Sequence, residues 1–296
     1  MKVLVTGASG FIGAPLCRRL EAEGAQVTRL VRGRPGADAV SWDPARGKID
    51  ADRLAGFDAV VHLAGEPVAQ RWSEAAMERI RASRVEGTKL LAEALAASGA
   101  PPAVFVAASG IGIYGDTGEA WVDEDSPPGD DFLARVAVEW EGAAAPLAAA
   151  GARTVFLRTG MVLGRGGGAL GKMLTPFRLG LGGRLGDGRQ WVSWIGLDDL
   201  LGAYLAALRD DRYSGPINAV TPHPVTNRDL TRALGRALRR PAILPVPAFA
   251  LRALFGPMAD GILLAGQRVR PTRLEALRFP FAQPTIHRAL TEILAT

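Results

Sequence analysis

Cysteine is almost absent from this chain of 296 residues: Cys17 stands alone, which excludes an intrachain disulfide framework and a cysteine-rich zinc site. Lysine is nearly as scarce, with Lys2, Lys48, Lys89 and Lys172 the only four among 35 basic residues, so arginine supplies the other 31. Against 30 acidic residues this leaves a net charge of +5. The basic residues form neither a run nor an aromatic-interleaved stripe, so no nucleic-acid partner is expected. No secretory leader is expected either, because the N-terminal stretch reads as a strand pattern rather than a basic segment followed by a long apolar one. Its most apolar late stretch, Ile243 to Phe255, is interrupted by Pro245, Pro247 and Arg252, too short to span a bilayer. The expectation is a cytoplasmic protein with no membrane partner. Hydrophobic residues at 48% and charged residues at 22% are ordinary for a globular chain with core enough for one large domain or two.

What is present is concentrated at the start. MKVLVTGASGFIG reads as a buried strand run, Val3-Leu4-Val5, then glycines spaced G-x-x-G-x-x-G at Gly7, Gly10 and Gly13, then a helix. Gly7 permits the tight turn, Gly10 lets backbone approach a diphosphate, and Gly13 lets the helix pack close to the sheet. The residues expected around that diphosphate are Gly7, Ser9, Gly10, Phe11, Ile12 and Gly13, helped by free N–H groups and the positive end of the helix dipole.

Helix Phe11–Glu23 closes at Gly24, and strand Gln26–Val31 leads into Arg32, Gly33 and Arg34. An acidic residue here would hold a ribose 2′-hydroxyl, whereas arginine suits a 2′-phosphate, so Arg32 and Arg34 favour NADP(H) over NAD. A short strand Val40–Asp43 would carry Asp43 near the adenine end. The strand Asp58–Leu63 runs into Leu63-Ala64-Gly65, the kind of turn at a parallel strand's carboxyl end where ligands lie. His62 within it reads as structural rather than as a base. Helix Ser73–Ala97, strand Ala103–Ala107, helix Phe132–Ala149 and strand Arg153–Leu157 continue the alternation. This spacing predicts an α/β fold, a doubly wound parallel Rossmann sheet. Residues 1–160 are expected to form the NADP-binding domain. Residues 161–296, with glycine-rich loops, the segment WVSW and a last helix Ile286–Leu294, would be a smaller, mostly helical substrate-side domain, some of whose segments could return to the sheet.

TGASGFIG, HLAG, a serine after the fifth strand, IYG and LRTGMVLG, in this order, resemble the extended short-chain dehydrogenase/reductase superfamily of sugar-nucleotide epimerases and dehydratases. More narrowly, IRASRVEGTKLL (Ile80–Leu91), DFLARVAVEWE (Asp131–Glu141), QWVSWIGLDDL (Gln190–Leu200), NAVTPHPVTN (Asn218–Asn227) and LRFPF (Leu277–Phe281) resemble its "epimerase family protein" branch. That resemblance implies an NADP(H)-binding oxidoreductase or isomerase acting on an unknown small molecule, with Arg84, Ser109 and Arg158 lining the cofactor or ligand and a homodimer as a possible assembly. The superfamily's Tyr-x-x-x-Lys pair, in which lysine lowers the tyrosine pKa for proton shuttling, has no counterpart. Gly118, Leu208 and Ile217 stand four residues after Tyr114, Tyr204 and Tyr213. Aligning the helix by Glu141 puts Leu133 and Ala137 in the pair's places, and Gly110 in that of the usual serine. Tyr114 and Ser109 are then the nearest catalytic candidates, and a catalytically silent NADP(H)-binding sensor or partner-binding protein is the alternative. Glu139 and Glu141 read as a solvated helix face. Arg158, Asp198 and Asp199 could each line a pocket or make a structural salt bridge.

Overall fold

The computed structural model describes residues 1–33, 36 and 39–295. The first half alternates β1 (Lys2–Thr6), α1 (Gly13–Ala22), β2 (Gln26–Arg32), β3 (Ala39–Asp43), β4 (Lys48–Ile49), β5 (Ala59–His62), α2 (Glu74–Ala96), β6 (Val104–Gly110), β7 (Trp121–Val122), α3 (Phe132–Gly142), α4 (Ala145–Ala149) and β8 (Arg153–Thr159). The second adds β9 (Met161–Leu163), α5 (Gly168–Arg178), β10 (Trp191–Val192), β11 (Trp194–Gly196), α6 (Leu197–Arg209), β12 (Gly215–Ala219), β13 (Val225–Thr226), α7 (Asn227–Leu238), α8 (Ala248–Phe255), β14 (Arg268–Val269), α9 (Thr272–Ala276) and α10 (Ile286–Leu294).

Eight strands form one sheet in the order β12-β8-β6-β5-β1-β2-β3-β4. Every pair in it is parallel except β3–β4. A sheet covered on both faces needs apolar side chains on both, and the period of two sorts them. Val3, Val5, Val61 and Val106 pack with Leu16 and Cys17 of α1 and Tyr204 of α6. Leu4, Val60 and Phe105 point the other way, against Leu91 and Leu95 of α2 and Leu147 of α4. This is the doubly wound α/β architecture expected from the strand–helix alternation. Gly215–Ala219 supplies the sheet edge beside β8, so part of the chain beyond residue 160 lies in the Rossmann sheet. A second core gathers Leu170 and Phe177 of α5, Leu230 and Leu234 of α7, Leu290 of α10 and Trp194, giving the helical C-terminal part.

The continuous helix expected over Phe132–Ala149 is two helices. Pro146 stands in the first turn of α4, a position that suits proline's fixed φ and missing N–H, whereas a helix interior does not. Among the described residues no helix is long and apolar enough to cross a membrane.

Candidate functional site

The carboxyl ends of β1, β5 and β6 meet at one edge of the sheet, and the loop after β1 is held there by contacts that only glycine allows. Gly7 has φ +65 and lies against the backbone of the β5 turn, where an added Cβ would sit 2.9 Å from the Leu63 carbonyl carbon and 3.0 Å from the Ala64 nitrogen. At Gly13 an added Cβ would collide with the Gly7 carbonyl oxygen and approach Ala8 Cα to 3.0 Å. The loop closes with Gly10 N–H donating to the Gly7 carbonyl at 2.9 Å. Among the described residues no side chain caps α1. Ala14 N–H donates to the Gly10 carbonyl at 3.0 Å and Leu16 N–H to the Ile12 carbonyl at 3.1 Å, and Pro15 has no N–H, so the amides left to receive an anion are those just before, from Phe11 to Gly13. Phe11 turns away from this cradle and is clasped by the glycine-rich loop after β9. Added Cβ atoms at Gly167 and Gly168 would lie 2.7 and 2.8 Å from its ring.

Thr6, the last residue of β1, ties that strand to the β5 turn. Its Oγ1 accepts from Leu63 N–H and Ala64 N–H, both at 3.0 Å. With its acceptor sites occupied, the hydroxyl must donate its proton to His62 Nδ1, 2.8 Å away. Nε2 therefore carries the imidazole proton and donates to Thr88 Oγ1 at 2.9 Å, which also accepts from Trp140 Nε1 at 2.9 Å. Complete burial, with the Arg84 charge adding to it, pushes the His62 pKa down to about 4. His62 is thus a neutral structural hub.

This neutrality has a pH consequence. The folded chain holds His62 unprotonated down to about 4, whereas the unfolded chain titrates near 6.5. Between those values the unfolded state binds the extra proton. Stability from His62 is complete above about pH 6.5 and falls by roughly 3 kcal/mol on acidification to pH 4. Urea unfolding at pH 7 and 4.5 checks this: His62→Gln is expected to lose less stability on acidification than the wild type, and equal losses would argue against the assignment.

Arg84 of α2 reaches the Leu63–Gly65 turn from behind. Its Nη1 donates to the Glu66 carbonyl at 2.9 Å and to the Ile80 carbonyl at 3.1 Å, and its guanidinium lies 5.1 Å from the Trp140 ring centroid. Burial lowers its pKa to about 10, opposed by Glu66, so it remains a cation. Gly65 leaves room for it, since an added Cβ would be 3.3 Å from Arg84 Cζ.

Behind the end of β6 lies a buried polar network. Arg158 Nε and Nη2 donate to the two Glu141 carboxylate oxygens, each at 2.9 Å, and Ser109 Oγ donates to Glu141 Oε1 at 2.7 Å. Arg158 Nη1 donates to the Tyr114 hydroxyl at 3.1 Å, which in turn donates to Asn218 Oδ1 at 2.7 Å. Burial works against the Arg158 charge, but the hydrogen bonds and attraction of Glu141 outweigh it and hold the guanidinium above its ordinary range. Burial also raises the Tyr114 phenol, against the pull of Arg158. Glu124 extends the network: its Oε1 accepts from Asn218 N–H at 2.9 Å, and burial raises its carboxyl.

Glu141 is the residue that sequence periodicity misplaced. It does not lie on a solvated face: its side chain is 14% exposed and that of Arg158 9%. The available signal was Arg158 itself, a cation in a buried strand that demands an anion. Glu139 pairs with Arg81 nearer the surface. Among the described residues Asp199 makes no salt bridge; it accepts from Ala282 N–H and Gln283 N–H at 2.8 and 2.9 Å. Arg32 ends β2 exposed with no carboxylate partner among the described residues, Asp43 pairs with Arg46 at 3.6 Å, and Arg34 lies outside the described residues.

A sheet of this topology with a glycine-only phosphate cradle fits the NAD dependent epimerase/dehydratase family, whose model matches residues 3–219. The chain belongs to that family. A second model, a domain of unknown function (DUF1731), matches residues 246–293. The epimerase family protein ML0860 of Mycobacterium leprae is 43% identical over 98% of this chain and 94% of its own length. The human epimerase family protein SDR39U1 is 42% identical, with all of both chains covered. Its crystal structure with NADPH superposes at a TM-score of 0.91 and 40% identity over the whole of both chains. A nucleoside-diphosphate sugar epimerase from Corynebacterium glutamicum superposes at 0.82 with 39% identity, covering 99% of this chain and 58% of that one.

In this extended short-chain dehydrogenase/reductase of the epimerase family no tyrosine is followed by lysine four residues on, and Leu133 and Ala137 are the positions that alignment by Glu141 offers. Leu133 packs on the turn after β6, where a Cβ on Gly112 would lie 3.3 Å from Leu133 Cβ. Ala137 is buried at 5% exposure beside Tyr114 and Val269. Neither side chain can carry a proton.

Proposed function

We propose that the protein is an NADP(H)-binding oxidoreductase or isomerase of the epimerase/dehydratase type that acts on a small molecule without a Tyr-x-x-x-Lys pair. The observation that carries this reading is the loop from Gly7 to Gly13, where added side chains would strike backbone and the helix end is left uncapped. It fits a dinucleotide diphosphate, and the cofactor, when bound, supplies hydride chemistry. Arg32 at the end of β2, exposed and without a carboxylate partner among the described residues, fits the 2′-phosphate. The human relative solved with NADPH supports the same choice. Arg84 keeps its charge behind Gly65 and stiffens the turn that flanks the cofactor.

Ser109 and Tyr114 stand in the wall of this site. Their hydroxyls are engaged by Glu141 and by Asn218 and Arg158, which favours positioning roles over proton exchange. The same engagement supports a second reading, a catalytically silent NADP(H)-binding sensor or partner-binding protein.

Fluorescence titration with NADPH and NADH tests the proposal. NADPH is expected to bind at least about tenfold more tightly, since a hydrogen bond to a charged group contributes about 1.5–3 kcal/mol. Arg32→Ala should bring NADPH down to the NADH value and leave NADH unchanged. Equal wild-type affinities would overturn the 2′-phosphate assignment.

A further inference from the structure

Beyond the carboxyl ends of β5 and β6 a cleft of ≈ 200 Å³ opens, walled by Trp72, Met77, Phe132, Leu133 and Gly261. Trp72 and Met77 follow the β5 turn, Phe132 and Leu133 begin α3 after β6, and Gly261 belongs to the short π-helix Ala259–Leu264 after α8. A dinucleotide in a doubly wound sheet lies across the switch in strand order. With the diphosphate at the β1 loop and the 2′-phosphate at Arg32 on the β2 side, its other half extends toward β5 and β6, where this cleft lies.

The cleft is apolar by construction. Trp72 meets Phe132 edge to face with ring centroids 5.2 Å apart, and the absent side chain of Gly261 makes room for its indole, which an added Cβ would approach to 2.9 Å. The indole N–H is already donated to the Val68 carbonyl at 2.9 Å. Asp131 is the one ionisable side chain in the lining, and its Oδ1 caps α3 by accepting from Ala134 N–H at 2.8 Å. A ligand here meets rings, aliphatic carbon and the one remaining Asp131 carboxylate oxygen, and among the described residues no free side-chain donor.

Asp131 Oδ2 can accept from one sugar hydroxyl, but the several others of a sugar buried among these rings would go unpaired, at about 1–3 kcal/mol each. An apolar space of about 150 Å³ is enough for a benzene-sized guest. The position that would hold a proton-shuttling tyrosine is occupied by Leu133, which suits a ligand with no hydroxyl there to deprotonate. We infer that this cleft takes a small apolar ring compound, seated against Trp72, rather than a sugar. The inference rests on the NADP(H) reading above and names the substrate class of that site.

Benzaldehyde and UDP-glucose serve as probes, titrated by NMR into the full chain saturated with NADP+. Benzaldehyde is expected to bind, and Leu133→Gln and Met77→Gln each to weaken it at least tenfold. Val138→Gln, on the exposed side of α3 at 46% exposure, should leave it unchanged. NADPH affinity, measured on each variant, should stay at the wild-type value and so report an intact fold. Binding of UDP-glucose in competition with benzaldehyde, or benzaldehyde binding indifferent to both cleft variants, would overturn the inference. NADPH binding without any benzaldehyde binding would overturn it alone, whereas failure of wild-type NADPH binding would overturn the cofactor reading and this inference together.

Discussion

Glu141→Ala is expected to destabilise the fold by about 3–5 kcal/mol, the cost of stranding one partner of a buried ion pair. The wild-type carboxylate receives two guanidinium donors and one hydroxyl at 2.9, 2.9 and 2.7 Å. Without it, the Arg158 charge stays in a 9% exposed side chain with, among the described residues, the Tyr114 hydroxyl and the Glu124 carbonyl left to receive it. Screening by water cannot rescue so buried a cation, which separates this pair from exposed ones such as Arg288–Glu292. Replacing both partners, Glu141→Leu with Arg158→Met, should recover most of the loss, because an apolar pair of similar volume leaves no charge unpaired. Urea midpoints at constant m value measure both effects. A single-variant loss below about 0.5 kcal/mol, the ordinary range for a surface substitution, would contradict the buried network.

Gly13→Ala should weaken NADPH binding about a hundredfold. A methyl group there meets the Gly7 carbonyl and lies 3.0 Å from Ala8 Cα, so the loop and the start of α1 must separate. Overpacking of that kind costs about 1–3 kcal/mol, and the displaced amides lose charge-assisted bonds to the diphosphate that contribute about 1.5–3 kcal/mol each. Gly171→Ala is the contrasting case. This α5 glycine has nothing within 4 Å of an added Cβ, so alanine should leave NADPH binding unchanged and add up to about 1 kcal/mol of stability through helix propensity. Fluorescence titration and thermal melts on the two variants decide it, and wild-type NADPH affinity in Gly13→Ala would remove the phosphate loop from the account.

The parts of this molecule that follow from neighbours in sequence were legible before the structure. Val3-Leu4-Val5 and Val60-Val61 are apolar runs because both faces of a parallel sheet are covered, and the glycine spacing marks the turn because a Cβ at two of the three positions would meet backbone. What the sequence did not expose depends on partners brought together from afar. Glu141 looked like part of a polar helix face because its partner Arg158 comes from the next strand, and periodicity records only which face a residue occupies. His62 reads as structural from its strand, but its tautomer is fixed by Thr6 and Thr88, from β1 and α2. The helix break at Pro146 was visible in principle, since a proline inside a helical pattern ends or divides it. The return of Gly215–Ala219 to the sheet edge beside β8 is a topological fact that the short run Ile217-Asn218-Ala219 does not announce.

We propose that NADPH lies across the carboxyl ends of β1, β5 and β6 with its 2′-phosphate on Arg32. Diffraction from crystals of the full chain grown with NADPH measures this directly. The diphosphate is expected on the amides from Phe11 to Gly13, the 2′-phosphate within hydrogen-bond distance of the Arg32 guanidinium, and the nicotinamide half extending toward Leu133. A cofactor whose 2′-phosphate lies elsewhere while Arg32 faces solvent, or whose diphosphate avoids the Gly7–Gly13 loop, would contradict it.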